Sequence, residues 1–412
     1  MGKRVPDWWR ERRFGVSFHW GIYSMLGRGE WVRHMERIPM KEYEKLALNF
    51  KPAKGWADNW ARFVKESGAG YAVMTTKHHD GYCLFDTETT DYFSAPKSGP
   101  GSDLVAEYVR ACRENDIKVG FYYSAPDWRF FWDKEKGFEI EPDDSDLYRE
   151  YKEVTLKHIE ELCRNYGQVD YWFWDGYPPE VEKTVTRMKQ WQPEMLINDR
   201  CGLKLGLGSG EKRFYTPPFY GYDWELTHVS NDHWGYFASD DCWLSLKKSI
   251  HWITCTASMN GNFLFNVGPM TDGKIPERAT ELFGGIGTWL QEHGESYYGT
   301  ASSNIEGGCS GCTTAKGDTC YLHIHHYVYP YYVVISPEVD IISATVMKTG
   351  QKLDVKKDGI RFIITGLPEK APDANNTVIV LKTDGPAEME EEEPPEEMKG
   401  FVRHEQDALF GQ

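Results

Sequence analysis

The sequence predicts an α/β protein. It reads as a (β/α)8-like, TIM-type barrel over residues 1–298, an antiparallel β-sandwich over 299–385 and an acidic, flexible tail over 386–412. Three observations predict this. Apolar, strand-like runs recur through the first part, each followed by a helical or loop stretch, and that alternation argues for parallel strands. These runs end in polar or aromatic residues, and barrels of parallel strands place their chemistry at the C-terminal strand ends. After Tyr297-Tyr298-Gly299 the texture changes to short β-rich segments separated by Gly, Pro and Asp.

Barrel strands are expected at Val16 to Trp20, Tyr71 to Thr76, Val119 to Ser124, Val169 to Trp174, Met195 to Asn198 and Asn262 to Val267. Amphipathic helical spacing covers Asp103 to Asn115, Ser145 to Arg164 and Trp243 to Ser258, and Ile275 to Gly294 reads as the closing helix. The sandwich strands are expected around Tyr321 to His325, Tyr331 to Ile335, Ile341 to Val346 and Thr377 to Leu381. No internal repeat is visible.

Composition narrows the function. The chain has 412 residues, 40% hydrophobic, enough for a core in each of two units. Its net charge of −16 disfavours nucleic acid and anionic membranes as partners, since both would be repelled. Part of that charge is local: from Pro386 onward nine acidic residues face two basic ones. Sixteen Trp and 24 Tyr exceed ordinary core needs and suit stacking on the apolar faces of sugars, although most such rings pack cores. Nine scattered Cys show no disulfide framework. Cys309-Ser310-Gly311-Cys312, with Cys320 nearby, could hold a metal or a disulfide. It lacks a matching second pair, so unpaired thiols or one local disulfide are expected. No apolar leader follows Met1 and no run is long enough to span a membrane, so the protein is expected to be cytoplasmic or to have lost a leader.

The most informative stretch is Lys77-His78-His79-Asp80-Gly81, which closes a buried strand. Adjacent residues on a regular strand point to opposite faces, so the strand must unwind there for both rings to reach one pocket. The second stretch is Val169 to Gly176, in which Asp175 follows three aromatic residues at the C-terminal end of a strand. A rigidly held carboxylate beside stacking surface suits a nucleophile at a sugar's anomeric carbon; a helix N-cap or turn residue is the plainer alternative. Asp170, at the other end, reads as a turn residue. His19, His78 and His79 with Asp80 or Asp175 could ligate a metal, but no His-Glu-x-x-His-like spacing supports that. Hydrogen bonding to sugar hydroxyls explains the same residues without metal or cofactor.

These stretches resemble α-L-fucosidases of glycoside hydrolase family 29. The resemblance runs from Phe14 to about Pro276. It rests on Phe14 to Gly21, Glu30-Trp31, Lys77 to Gly81, Gly120 to Ser124, Phe173-Trp174-Asp175-Gly176, Asn198-Asp199-Arg200, Trp224-Glu225, Trp234-Gly235-Tyr236 and Asn262 to Pro269, in fixed order. It implies a catalytic barrel, a C-terminal β-sandwich and no cofactor. It also implies retaining removal of terminal α-L-fucosyl residues from glycans through a fucosyl-Asp intermediate. Residue by residue it implies Asp175 as nucleophile, and His19, Glu30, Trp31, His78, His79, Tyr122 and Arg200 around the fucose ring and hydroxyls. Trp234 is implied near the sugar's methyl group.

The chain departs from the family pattern twice. Phe173 stands where the family often has Trp, and Pro218 stands where many members carry the acid/base Glu. That acid migrates within the family. Glu211, in what reads as a mobile Gly-rich loop from Gly206 to Gly210, ranks first as its replacement, and Glu225 second. A fucose-binding pseudo-enzyme with impaired acid catalysis and an exo-glycosidase for α-L-galactosides are the alternatives.

Overall fold

The first eight strands are all parallel: β1 (Phe14–Phe18), β2 (Tyr71–Lys77), β3 (Lys118–Ser124), β4 (Tyr171–Asp175), β5 (Leu196–Ile197), β6 (Gly208–Glu211), β7 (Trp224–Val229) and β8 (Gly261–Val267). The computed structural model describes residues 5–130, 146–203, 205, 207–214 and 222–392. Strand order is β5-β4-β3-β2-β1-β8-β7-β6, so β1 pairs with β8 and the sheet wraps into a TIM-like barrel open along one seam, between β5 and β6. Across that seam the Asp199 backbone N–H donates to the Leu207 carbonyl at 3.1 Å.

Six helices surround the strands: α1 (Trp56–Glu66), α2 (Leu104–Glu114), α3 (Asp146–Asn165), α4 (Val181–Trp191), α5 (Leu246–Ser258) and α6 (Glu277–His293). Local signals set their ends. Asp103 caps α2 by accepting from the Ala106 N–H at 2.8 Å, and Ser245 caps α5 through the Lys248 N–H at 3.2 Å. The α5 cap explains why the helix starts at Leu246 rather than at Trp243. Among the described residues no comparable helix follows β5 or β6.

Two strands differ from expectation. Residues 208–211 are not a mobile loop. They form β6, paired in register with β7 from Gly208 opposite Trp224 to Glu211 opposite Thr227. Small residues carry no hydrophobic period, and the pairing with β7 overrides their weak propensity. β7 itself escapes a periodicity reading because Glu225 and Thr227 interrupt its apolar pattern.

Side-chain alternation separates two cores. Phe14, Val16, Phe18, Ala72, Met74, Phe121, Trp172, Trp174, Phe263 and Phe265 face the helices. Tyr71, Val73, Tyr122, Tyr171, Phe173 and Leu264 face inward, with Trp9 among them. Trp9 seals the N-terminal end of the barrel, where its carbonyl accepts from Asn262 Nδ2 at 2.8 Å.

The second sheet is antiparallel: β9 (Ala301–Ser302), β10 (Gly311–Lys316), β11 (Thr319–Ile324), β12 (Tyr331–Ile335), β13 (Ile341–Val346), β14 (Lys352–Asp358), β15 (Arg361–Thr365) and β16 (Thr377–Thr383). β14 pairs with β13 through Lys352 and Leu353 and with β15 from Asp354 onward, turning the sheet into two facing layers. Leu322, Val346, Ile379 and Leu381 from one layer share a core with Val334, Phe362 and Ile364 from the other. The opposite face of β11 and β16 is also covered, because Tyr321 and Val378 join the barrel's core. β11 is therefore buried throughout, including His323, which receives Asn376 Nδ2 at 3.1 Å.

The described residues of the acidic stretch, up to 392, make contacts with the fold. Ala387 is fully buried and its carbonyl accepts from the Asn304 N–H at 3.0 Å, Glu388 accepts from the Gly317 N–H at 2.6 Å, and Glu391 pairs with Arg10 at 2.6 Å. Backbone contacts to the sandwich outweigh the mutual repulsion of these carboxylates. Residues 393–412, Gly206 and Pro218 lie outside the described residues. No disulfide forms among the described cysteines: Cys309 is exposed, Cys320 is buried and all nine thiols are free.

Two glycines of α6 test this packing. A Cβ on Gly287 would sit 1.8 Å from the Glu66 carbonyl oxygen at the end of α1, whereas one on Gly284 meets nothing within 4 Å. Gly287→Ala is expected to destabilise by about 3 kcal/mol, since backbone atoms must move. Gly284→Ala is expected to stabilise by up to about 1 kcal/mol through helix propensity. Thermal melts should move in opposite directions; equal shifts would contradict the helix contact.

Candidate active site

β2 does not run straight through Lys77-His78-His79. Its pairing with β3 shifts register between Thr75 and Lys77, and the strand ends at Lys77. The unwinding expected from the sequence occurs here, and both imidazoles line one cavity. Buried polar contacts hold the turn. Lys77 Nζ lies 3.4 Å from Asp127 and over the Tyr123 ring, and Asp80 accepts from Tyr43 Oη at 2.8 Å and from the Tyr82 N–H at 3.1 Å. Gly81 has φ +80°, and a Cβ there would collide with Arg129 and Asp127.

The cavity, about 250 Å³, opens at the C-terminal ends of the strands. Ser17, Val73, Thr227 and Leu264, all inward-facing, form its floor, and Phe173 and Tyr122 stack beside it with ring centroids 5.7 Å apart. His19, Glu30, Trp31, His78, His79, Tyr122, Asp175, Arg200, Glu211 and Trp234 all line it. Ten of the eleven residues singled out in the sequence therefore converge on one cavity. The exception is Glu225.

Asp175 ends β4 on the inward face, in phase with Tyr171 and Phe173. Its Oδ2 accepts from Tyr122 Oη at 2.5 Å, its Oδ1 pairs with Arg200 Nη2 at 2.8 Å, and His79 Nε2 stands 3.5 Å away. Burial alone would raise this carboxyl. The His79 ring, the Arg200 guanidinium and the Tyr122 hydroxyl outweigh it and hold Asp175 down at about 2. Arg200 Nη1 also pairs with Glu211 at 2.5 Å, so one guanidinium bridges the two carboxylates. Arg200 itself lies 5.5 Å over the Phe173 ring.

Burial pushes all three histidines towards the neutral form: His19 down, His78 well down and His79 to about 4. His79 Nδ1 meets Ser124 Oγ at 2.5 Å, and that hydroxyl donates to the Pro126 carbonyl. His78 stacks parallel to Tyr122, and its buried Nδ1 has no hydrogen-bond partner among the described residues. Glu30 accepts from the Gly235 N–H at 2.7 Å and so holds the segment that carries Trp234.

Sequence reasoning missed Asn266. Its Oδ1 contacts His19 Nδ1 at 2.7 Å and Ser17 Oγ at 3.1 Å, and its Nδ2 donates to the Trp234 carbonyl at 2.7 Å. One buried amide therefore orients both the cavity-lining His19 ring and the Trp234 segment. The signal was a lone Asn near the end of the apolar run from Phe263 to Val267. Metal-ligating atoms of His78, His79 and Asp175 lie within 4.8 Å of one another, so this trio has the composition to gather a cation.

Parallel strands with convergent carboxylates, an arginine between them and neutral imidazoles around a small cavity define a glycoside hydrolase site. The model of the α-L-fucosidase family matches residues 1–295, and the chain belongs to that family. It is similar to α-L-fucosidase isoenzyme 1 of Paenibacillus thiaminolyticus, with 31% identity and a TM-score of 0.83 over 92% of this chain and 98% of that one. It is similar to the Thermotoga maritima α-fucosidase solved in complex with fucose, with 29% identity and a TM-score of 0.78 over 92% and 97%. Human tissue α-L-fucosidase is 27% identical over 415 residues, covering 90% of this chain and 86% of that protein.

Glu225 lies two residues before Thr227 on the same inward face, hence one layer beneath the cavity floor. It is fully buried and accepts from Tyr71 Oη at 2.7 Å and Tyr171 Oη at 2.8 Å. Burial raises its carboxyl to about 7 despite both hydrogen bonds. A group raised in the folded state contributes stability that is complete below its unfolded pKa of 4.5 and is lost as pH rises through about 7. Glu225→Gln should therefore melt close to the parent at pH 4.5 and above it at pH 8, by up to about 3 kcal/mol. An equal difference at both pH values would show that Glu225 stays ionised in the fold.

Proposed function

We propose that the protein is a retaining exo-α-L-fucosidase, with Asp175 as nucleophile and Glu211 as acid/base. The observation that carries this reading is the Arg200 bridge, which holds Asp175 and Glu211 one guanidinium apart across a cavity sized for a single sugar ring. A retaining pair requires carboxyl groups roughly 5–5.5 Å apart, close enough for one guanidinium to contact both. The cavity is smaller than the roughly 300–1,000 Å³ of clefts for larger ligands, which supports removal of one terminal residue.

Each wall suits fucose. With Nδ1 of His19 held by Asn266 and Nδ1 of His79 held by Ser124, these two neutral rings turn Nε2 to hydroxyls, and His78 offers its unpartnered Nδ1. The unsatisfied His78 Nδ1 is the state expected of a group that a ligand completes. Trp234, packed 5.2 Å from His19, offers an apolar wall for a methyl group. A cation among His78, His79 and Asp175 would stand against Arg200, which already neutralises Asp175. The site therefore favours metal-free chemistry.

In the first step Asp175 attacks the anomeric carbon, the glycosidic C–O bond breaks, and Glu211 gives its proton to the departing oxygen. Sugar entry between the carboxylates replaces the Arg200–Glu211 contact and leaves Glu211 free to carry that proton. In the second step Glu211 takes a proton from water, the water oxygen attacks the anomeric carbon, and Asp175 is released. Glu211, rather than Glu225, has the access this requires: its side chain is 40% exposed at the cavity edge.

Asp175→Gly should lose about four orders of magnitude or more in turnover of an aryl α-L-fucoside, with the fold retained. Azide should restore activity and yield a fucosyl azide of inverted configuration. Turnover near the parent's would remove Asp175 from the nucleophile role.

Glu211→Ala should lose about 10²- to 10⁴-fold on a natural fucosyl disaccharide, whose leaving group needs a proton. Its fucosylation step with a good aryl leaving group should be much less affected. Parent-like hydrolysis of the disaccharide would exclude Glu211 as the acid and revive the pseudo-enzyme and alternative-acid readings.

A further inference from the structure

Two thiols meet across the seam between α5 of the barrel and the β10–β11 hairpin of the sandwich. Cys255 lies on α5, and Cys312 lies on β10 opposite His323. Both sulfurs rest against one imidazole: Cys255 Sγ is 3.9 Å from His325 Nδ1, and Cys312 Sγ is 3.8 Å from His325 Nε2. The two thiols also hydrogen-bond to each other. His325 is buried, its Nε2 lies 2.8 Å from Thr254 Oγ1, and its ring stacks on that of His251 with centroids 4.0 Å apart. The helix that carries Cys255 therefore also fixes the ring that both sulfurs touch.

Strand alternation turns Cys312 towards the barrel and away from Cys320. Cys312 pairs with His323, on the hairpin face from which Tyr321 joins the barrel's core. Cys320 pairs with Ala315, an odd number of residues along β10 from Cys312, and packs into the sandwich core instead. Cys309 precedes β10 and is exposed.

We propose that Cys255 and Cys312 are a redox-active pair that hydrogen peroxide closes into a disulfide, clasping the barrel to the β-sandwich. The two thiols are not equivalent. Burial alone would raise the Cys312 thiol, but the hydrogen bonds from Cys255 and His325 outweigh it and hold Cys312 well below an ordinary thiol. The hydrogen bond to Cys312, together with burial, raises Cys255. Cys312 is therefore the attacking thiolate and Cys255 the resolving thiol. Both residues are half-buried, which gives a molecule as small as peroxide access to them. Neither lines the catalytic cavity.

The Cys312 sulfur attacks one peroxide oxygen and the O–O bond breaks, giving a sulfenic acid and a hydroxide that takes up the proton lost by Cys312. The Cys255 sulfur then attacks the sulfenic sulfur. The S–S bond forms, the S–O bond breaks, and the departing hydroxide leaves as water with the Cys255 proton. Two thiols are oxidised and one peroxide is reduced to two waters. A thiol reductant reverses the link by exchange. The closed bond ties a barrel helix to a sandwich strand, and such a cross-link restricts the unfolded chain.

The test uses the full-length protein, reduced and then treated with hydrogen peroxide. Peptide mass mapping should find the Cys255 and Cys312 peptides joined with the loss of two hydrogens, and a reductant should separate them. The oxidised parent should melt at a higher temperature than the reduced parent. Cys255→Ser should lose both the link and the thermal shift, and should leave a sulfenic acid at Cys312 that dimedone captures. Cys309→Ser should keep both. Recovery of Cys255 and Cys312 from the oxidised parent as free thiols, or as unlinked oxidised acids, would overturn the proposal. So would a link from Cys312 to Cys309 or Cys320, or a Cys255–Cys312 link that leaves the melting temperature unchanged.

Discussion

Alternation of side chains along parallel strands is the constraint on which this site depends. Inward rows place Tyr71, Tyr171 and Glu225 in a lower layer and Val73, Phe173, Thr227 and Leu264 in the layer above. The lower layer is a sealed plug, closed by Trp9 and by hydrogen bonds from two tyrosines to one carboxyl. The upper layer is a floor, on which the next inward residues, Asp175 and Glu211, stand as functional groups. A one-residue slip of β4 would turn Asp175 towards the helices and Trp174 into the cavity.

Burial then sets the charge state of what stands on that floor. Imidazoles removed from water lose their protons, so three histidines enter the cavity as neutral hydrogen-bonding groups. The same removal from water raises the Asp175 carboxyl, and the His79 ring together with Arg200, whose charge persists at any working pH, outweighs it. The cavity therefore sets one fixed cation, Arg200, between the carboxyl groups of Asp175 and Glu211, beside neutral imidazoles. Developing positive charge on a sugar ring finds its counter-ion at Asp175.

Much of this was legible in the sequence because it depends on local pattern. His19, His78, Tyr122 and Asp175 lie at or next to the C-terminal ends of apolar runs, where polar residues are conspicuous. What escaped was whatever depends on pairing rather than on pattern. β6 consists of Gly208-Ser209-Gly210-Glu211, which resembles a flexible loop until β7 supplies its partner. Glu211 belongs to the cavity because that pairing fixes it opposite Thr227, and Glu225 is excluded from it for the same reason. Asn266 was hidden because its work is done through His19, Ser17 and the Trp234 carbonyl, all remote in sequence. β11 alternates in sequence yet is buried on both faces, since a second layer covers it that no single strand reveals.

The incompleteness of the barrel is what brings the two carboxylates together. β5 contributes only Leu196 and Ile197 before the chain leaves the sheet. Asn198 then extends the pairing with its side chain: Oδ1 accepts from the Trp174 N–H at 2.9 Å and Nδ2 donates to the Trp174 carbonyl at 3.2 Å. Asp199 turns the backbone across the seam to Leu207, in a single 3₁₀ turn over Asp199–Cys201. Arg200 is thereby set in the gap between the ends of β4 and β6, where it reaches Asp175 on one side and Glu211 on the other. A continuous β5 paired to β6 would fill that gap with backbone and leave no position for the guanidinium. Asn198-Asp199-Arg200 therefore acts as a unit, one residue replacing strand pairing, one closing the seam and one joining the carboxylates.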